Sequence, residues 1–226
     1  MENKAVEENK TSEEKPKFTR SIPISKLYRQ KHKDLVVKDA WKDVFGIPEL
    51  GGIWLIWGNE KNGKTWYSLK LAEHLSECYK VLYISAEQGL RKSFKDACLR
   101  AKLDPKNKKL VFDNYMELEE LKDKLNRRRS ADIIFIDNVS VYQDDLKYGG
   151  LRGLTNKFPH KLFILIAHED EKGQPYTATA KMASKISEVL MYVEGLKCKV
   201  YGRVPGGSLI IDEFKAKVYH GNDLKN

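Results

Sequence analysis

The eight residues GNEKNGKT at positions 58–65 have the types and spacing needed to hold a chain of phosphates. Gly58 ends an apolar run and permits a tight turn, and Gly63 lets main-chain N–H groups approach an anion closely. Lys64 places a point charge on the outer phosphates, and the Thr65 hydroxyl suits Mg²⁺. Asn59, Glu60, Lys61 and Asn62 complete the loop. Trp66 follows in the amphipathic stretch WYSLKLAEHLSECY, whose N-terminus adds its dipole to the anion site. A surface turn between a strand and a helix is the alternative, but the apolar lead-in GIWLIW and the helical lead-out favour a phosphate loop, with ATP and Mg²⁺ as its ligands.

A magnesium nucleotide also needs a carboxylate at the end of a buried strand. DIIFIDN supplies Asp137 after four apolar residues. The next residue is Asn138, not a glutamate that could activate water, so a base for hydrolysis must come from elsewhere. KVLYISAEQG offers Glu87, where a carboxylate can polarise an attacking water; a solvent-facing loop acid is the bland alternative. KLFILIAHEDEKG ends its apolar run at His168, placed for a γ-phosphate contact. The candidate metal ligands are thus Thr65 and Asp137, and the candidate catalytic residues Lys64, Glu87 and His168.

These side chains require a scaffold that gathers strand ends. From Gly52 onward, short apolar runs alternate with amphipathic ones, the pattern of a mostly parallel sheet covered by helices. After Ala183 the stretches SEVLMYVEG, KCKVYGRV and SLIIDEFKAKVYH, broken by Pro-Gly-Gly, read as an antiparallel extension. The expected class is a three-layer α/β P-loop NTPase fold, its mostly parallel central sheet flanked by helices with that extension at the C-terminal side. Residues 1–17 are polar and aperiodic and are expected to be a disordered tail. A lead-in segment over 18–44 and a nucleotide-binding domain over 45–222 follow.

The 226 residues are 41% hydrophobic and 32% charged, with a formal net charge of +9. No apolar run reaches the ~18–20 residues that cross a bilayer, and the polar N-terminal stretch is not a targeting peptide. Cys78, Cys98 and Cys198 lack metal or redox spacing, which fits a reducing, cytoplasmic setting. Residues 91–129 hold 13 Lys or Arg against 7 Asp or Glu. Such an excess suits a polyanion such as DNA, and equally a solvated surface.

Together, GNEKNGKT, YISAEQG, IIFIDN and FILIAHEDEKG followed by EVLMYVEG resemble the ATPase core of the RecA superfamily, in its RadA-like and DnaB-like branch, over roughly residues 45–220. The resemblance implies a catalytic glutamate after the second strand, matching Glu87, and a polar residue ending the fourth, matching His168. It implies a homo-oligomer, ring or filament, in which a basic side chain of one subunit completes the ATP site of the next. Lys197, Lys199, Arg203, Lys215 and Lys217 are candidates, with Arg203 preferred for its guanidinium fork. Phe94 stands where relatives often pack a side chain on adenine, but core packing is the preferred reading for it. The resemblance also implies mobile DNA-binding loops on either side of the fourth strand. Here these are VSVYQDDLKYGGLRGLTNKFPHK, with Arg152 and Lys157, and DEKGQPYTATAKMASK, with Lys181 and Lys185.

The function expected is an ATP-binding and ATP-hydrolysing DNA-handling protein, in recombination, replication or mobile-element maintenance. An ATP-switched assembly or regulatory protein that does not bind DNA is the alternative. A small-molecule phosphotransferase is disfavoured, because no Arg-rich lid is evident.

Overall fold

The computed structural model describes residues 21–221; the tail expected over 1–17 lies outside them. Two compact units are present, divided after His32. In the first, the described residues form one short helix, α1 (Ile24–Leu27), with no buried residue. The second, from Lys33, holds the remaining elements, so residues 33–44 of the expected lead-in belong to the globular unit, where Leu35, Val37 and Val44 are buried.

That unit is an eight-stranded sheet covered on both faces. In chain order the elements are α2 (Asp39–Phe45), β1 (Gly52–Gly58), α3 (Lys64–Ser76), β2 (Val81–Ser85), α4 (Lys92–Ala101), β3 (Leu110–Asn114), α5 (Leu118–Asn126) and β4 (Ile133–Asp137). Then come a 3₁₀ turn (Val139–Tyr142), α6 (Gln143–Leu146), α7 (Gly150–Lys157), β5 (Leu162–His168) and α8 (Ala178–Ile186). β6 (Val189–Glu194), β7 (Lys197–Gly202), β8 (Gly207–Ile210) and α9 (Glu213–His220) complete it. The strand order is β3-β2-β4-β5-β1-β6-β7-β8. The first six in that order are parallel; β7 and β8 are antiparallel additions.

Parallel strands buried on both faces read as continuous apolar runs, and β1, β2, β4 and β5 do so. Alternate residues point to opposite layers. Trp54, Ile56, Tyr83, Phe135 and Ile164 face α2, α3 and α4. Ile53, Leu55, Ile84, Ile136 and Leu165 face α5, α7 and α8.

Four expectations are corrected. SEVLMYVEG pairs in parallel with β1 and belongs to the core sheet, so the antiparallel extension begins at β7. SLIIDEFKAKVYH divides between β8 and helix α9: Asp212 accepts a hydrogen bond from Lys215 N and caps a helix where a strand was read. The supposed mobile loop after β4 is also folded. Val139, Tyr142, Leu146, Leu151, Leu154 and Phe158 recur at helical intervals and are all buried against the sheet. Gly150 serves close approach: a Cβ there would stand 2.1 Å from the Asp145 carbonyl oxygen. The second expected loop becomes a tight turn, closed by a Glu169–Pro175 bridge, followed by α8.

Candidate nucleotide-binding and hydrolysis site

The carboxyl ends of the parallel strands open into a cleft of about 550 Å³ lined by Lys64, Thr65, Glu87, Asp137, Asn138 and His168, among others. Its floor is the turn from β1 into α3. Gly58 takes φ +154 with its Cα against β6, where an added Cβ would lie 2.0 Å from Val193 O. Gly63, at φ +100, stands before α3, so the helix N-terminus opens on the cleft. Lys64 is buried and donates through Nζ to Gly58 O (2.9 Å) and Asn59 O (2.8 Å). Burial lowers its pKa, and the nearby Asp137, Glu60, Glu87 and Glu169 work against that shift. Glu60, Lys61 and Trp66 line the same cleft. Asn62 instead braces the loop from behind: its carbonyl accepts from Leu196 N (3.2 Å) and its Oδ1 from Gly195 N (3.4 Å).

Strand order explains the upper wall. β4 lies between β2 and β5, so Asp137 is flanked by the chain leaving β2 and by the end of β5. Ala86 N and Glu87 N both donate to Asp137 O, at 2.7 and 3.2 Å, which hooks the Glu87 segment over the β4 end. The Glu87 carboxylate then meets two nitrogens through Oε2, Asn138 Nδ2 and His168 Nε2, each at 3.2 Å. Asn138, read from sequence as standing where a base is missing, is instead a hydrogen-bond partner of Glu87.

Asp137 is nearly inaccessible, and burial pushes its carboxyl up to about 6. Tyr83 Oη donates to its Oδ2 (3.0 Å), and Ser68 Oγ lies 2.8 Å from the same hydroxyl. Ser68 in turn donates to Thr65 O, tying the carboxylate to the loop (3.0 Å). A desolvated carboxylate facing a hydroxyl across a phosphate cleft is an oxygen donor set for Mg²⁺, which takes one or two protein oxygens and completes its shell with phosphates and water. Among the described residues no group of three or more His, Cys, Asp or Glu could hold a metal on its own.

Sequence reasoning missed Tyr83 and Ser68, whose types read as core and helix surface. It also missed Arg100, and it weighed Lys215 only as a residue acting on another subunit. Both line the cleft of their own chain, and Lys215 Nζ stands 5.4 Å from the Trp66 ring centre. Phe94 is a core residue, 3% exposed and packed on Tyr83 and Phe112. Arg203 lies elsewhere. It follows Gly202, which pairs with the first residue of β6, at the end of the sheet away from the phosphate loop, and its side chain is 82% exposed. Arg152, Lys157, Lys181 and Lys185 are on α7 and α8; Arg152 and Lys181 are exposed, and Lys181 is held 3.1 Å from Asp170.

No protein-family model and no curated protein matches the sequence. Among solved structures, the chain is similar to the flagellar accessory protein FlaH from Methanocaldococcus jannaschii, with a TM-score of 0.54 and 18% identity over 78% of this chain and 91% of that one. The likeness is one of fold. The chain has the RecA-like three-layer architecture, with a mostly parallel sheet and antiparallel C-terminal strands.

Proposed function

We propose that the chain is a Mg²⁺-dependent ATPase that works as a cytoplasmic homo-oligomer on DNA, in recombination, replication or mobile-element maintenance. The observation carrying this reading is the Glu87 carboxylate, held by Asn138 and His168 over a cleft that also contains Lys64 and Asp137. ATP lies with its phosphates on the 58–65 loop, and the Lys64 ammonium exchanges two main-chain carbonyls for phosphate oxygens. Thr65 and Asp137 would hold Mg²⁺, which would neutralise charge on the phosphates. Glu87 orients a water and takes its proton as the γ-phosphoryl departs. His168 lines the same cleft, its ring placed beside Glu87 to meet the γ-phosphate.

Arg203 supports the oligomeric part of the reading. It is exposed at the end of the sheet remote from its own cleft, so it serves a nucleotide only in a neighbouring copy. For DNA, support comes from the net charge of +9 and from the 13 Lys or Arg against 7 Asp or Glu between residues 91 and 129.

A second reading, an ATP-switched assembly protein that does not bind DNA, is favoured by the folded state of the segment after β4. The description of FlaH as a flagellar accessory protein agrees with it. Steady-state ATP hydrolysis, alone and with single- or double-stranded DNA at low salt, separates the two. Stimulation by either DNA form is the expected result; a slow, DNA-indifferent rate favours the assembly role.

A further inference from the structure

The lysines and arginines that concentrate between residues 91 and 129 lie mostly outside the cleft, and the fold gives them a common destination. α4 and α5 run back against the strand direction, so their C-terminal ends and the chain entering β2, β3 and β4 meet at the amino-terminal edge of the sheet. Hydrogen bonds fix this meeting: Val81 N donates to Lys109 O (2.8 Å), Asp132 N to Lys80 O (2.8 Å) and Lys80 Nζ to Arg129 O (3.0 Å). Lys80, Lys108, Lys109, Arg127, Arg128 and Arg129 are all exposed there, and Lys102 and Lys106 extend the row along the loop after α4.

The positive charge of this edge exceeds the acids beside it, and few of its cations form ion pairs. Lys80 and Lys109 donate to main-chain carbonyls, of Arg129 and Glu77, which supply no negative charge. Lys161, from the chain entering β5, likewise donates to Ser130 Oγ and Ala131 O. Of the acids nearby, Glu77 pairs with Lys38 at 2.9 Å, while Asp104 and Asp132 accept from the main-chain N–H groups of Lys106 and Lys80 and keep their charge, two acids against the row of lysines and arginines. Lys124 is the exception, paired with Asp113. Between β3 and α5 the edge is indented by a groove of about 320 Å³, rimmed by Lys80, Lys108, Lys109 and Arg129 over a floor of Val81, Leu82 and Leu125.

We infer that this amino-terminal edge, beneath β2, β3 and β4, docks the phosphodiester backbone of duplex DNA. The inference rests on the DNA-handling reading above and moves the contact from the segments flanking β5 to the far end of the sheet from ATP. Arginines over a rigid backbone suit phosphate oxygens. Among the described residues no exposed aromatic side chain lies at this edge, so it offers no platform there for stacking unpaired bases. Of the large apolar residues lining the groove, Val81, Leu82 and Leu125 are buried and Val111 is half exposed, a small apolar area for insertion among lipids.

The test is fluorescence anisotropy of labelled duplex DNA with the full chain, over a salt series, comparing wild type with the triple variant Arg127→Gln, Arg128→Gln, Lys108→Gln. Steady-state ATP turnover without DNA reports that the variant is folded. The expected result is unchanged basal turnover, a Kd raised at least about tenfold, and a log Kd against log salt slope shallower by roughly 0.9 for each phosphate the variant no longer neutralises. A paired variant, Arg152→Gln with Lys185→Gln, should bind as wild type does. If the triple variant binds normally while the paired one loses affinity, the edge assignment is overturned and the DNA-handling reading stands. If wild type binds neither duplex nor single strands, both fall. If it binds vesicles containing phosphatidylserine through these residues but not DNA, the edge is a membrane surface and the inference is wrong.

Discussion

Glu87 Oε2 and His168 Nε2 lie 3.2 Å apart although 81 residues separate them in the chain. The pair meets because β4 is inserted between β2 and β5, which puts their carboxyl ends on either side of Asp137. Asn138, one residue further, closes the group from below. The Glu87 carboxylate is thus positioned by groups at the ends of β4 and β5, the placement that preorganised catalysis would ask of a general base.

Glu87→Gln should keep nucleotide affinity and lower turnover by about 10²–10⁴, the usual contribution of a positioned base. Fluorescent-nucleotide titration and phosphate release measure the two quantities separately. Turnover at the wild-type rate would remove Glu87 from the mechanism.

Lys64→Ala should act on binding itself. Its ammonium already occupies the loop, donating to two carbonyls, and loss of two charge-assisted bonds to phosphates weakens ATP binding by at least about 100-fold. Titration calorimetry with Mg-ATP reads this directly, and near-wild-type affinity would contradict the assigned loop.

Asp137 makes a prediction about pH. Its folded value near 6 stands above its ordinary value of 3.8, so between these the folded chain holds the extra proton. Stability contributed by this group is therefore full below about pH 4 and is lost as pH rises through about 6. At neutral pH the ionised carboxylate costs the empty fold on the order of 3 kcal/mol. Asp137→Asn should raise the Tm of the nucleotide-free protein by several degrees at pH 7.5, with no gain at pH 3.5, and should weaken Mg²⁺-dependent ATP binding. Equal Tm values at both pH extremes would refute the burial argument.

Two glycines of α7 should respond in opposite ways. Gly153 has open space around its Cα, and Gly153→Ala should stabilise the fold by about 0.5–1 kcal/mol through helix propensity. Gly150→Ala forces a methyl onto the Asp145 carbonyl and should cost about 1–3 kcal/mol. Urea unfolding distinguishes them; a mobile loop in this place would leave both substitutions near neutral.

Arg203→Ala and Lys64→Ala proteins, each inactive, should regain part of the turnover when mixed. A copy with an intact phosphate loop then receives the arginine of a neighbour. Absence of recovery at concentrations where the chain is oligomeric would argue against a role in trans.

Much of this site was legible because its chemistry sits on residues whose types are rarely interchangeable. A glycine-flanked Lys-Thr, an Asp closing an apolar run and a His closing another each announce a strand end. Glu87 was legible for the same reason. Tyr83 was not, since a tyrosine within VLYIS reads as core until the Asp137 carboxylate is seen beside its hydroxyl. The direction of β6 was hidden because side-chain alternation is identical in parallel and antiparallel strands. The glycine pair at 149–150 suggested mobility, while the helical spacing of the buried residues around it carried the truer signal. Lys215 could not be placed in its own cleft without knowing that α9 returns toward Trp66.

The position of β1 at the heart of the sheet has a cost during synthesis. Its lateral neighbours, β5 and β6, begin at Leu162 and Val189, so GIWLIWG must wait for more than a hundred further residues before either edge is paired. Such long-range pairing folds slowly and leaves an apolar, uncharged strand open to wrong partners. The segment that later seats the phosphate loop is thus the one most in need of chaperone cover while the ribosome finishes the chain.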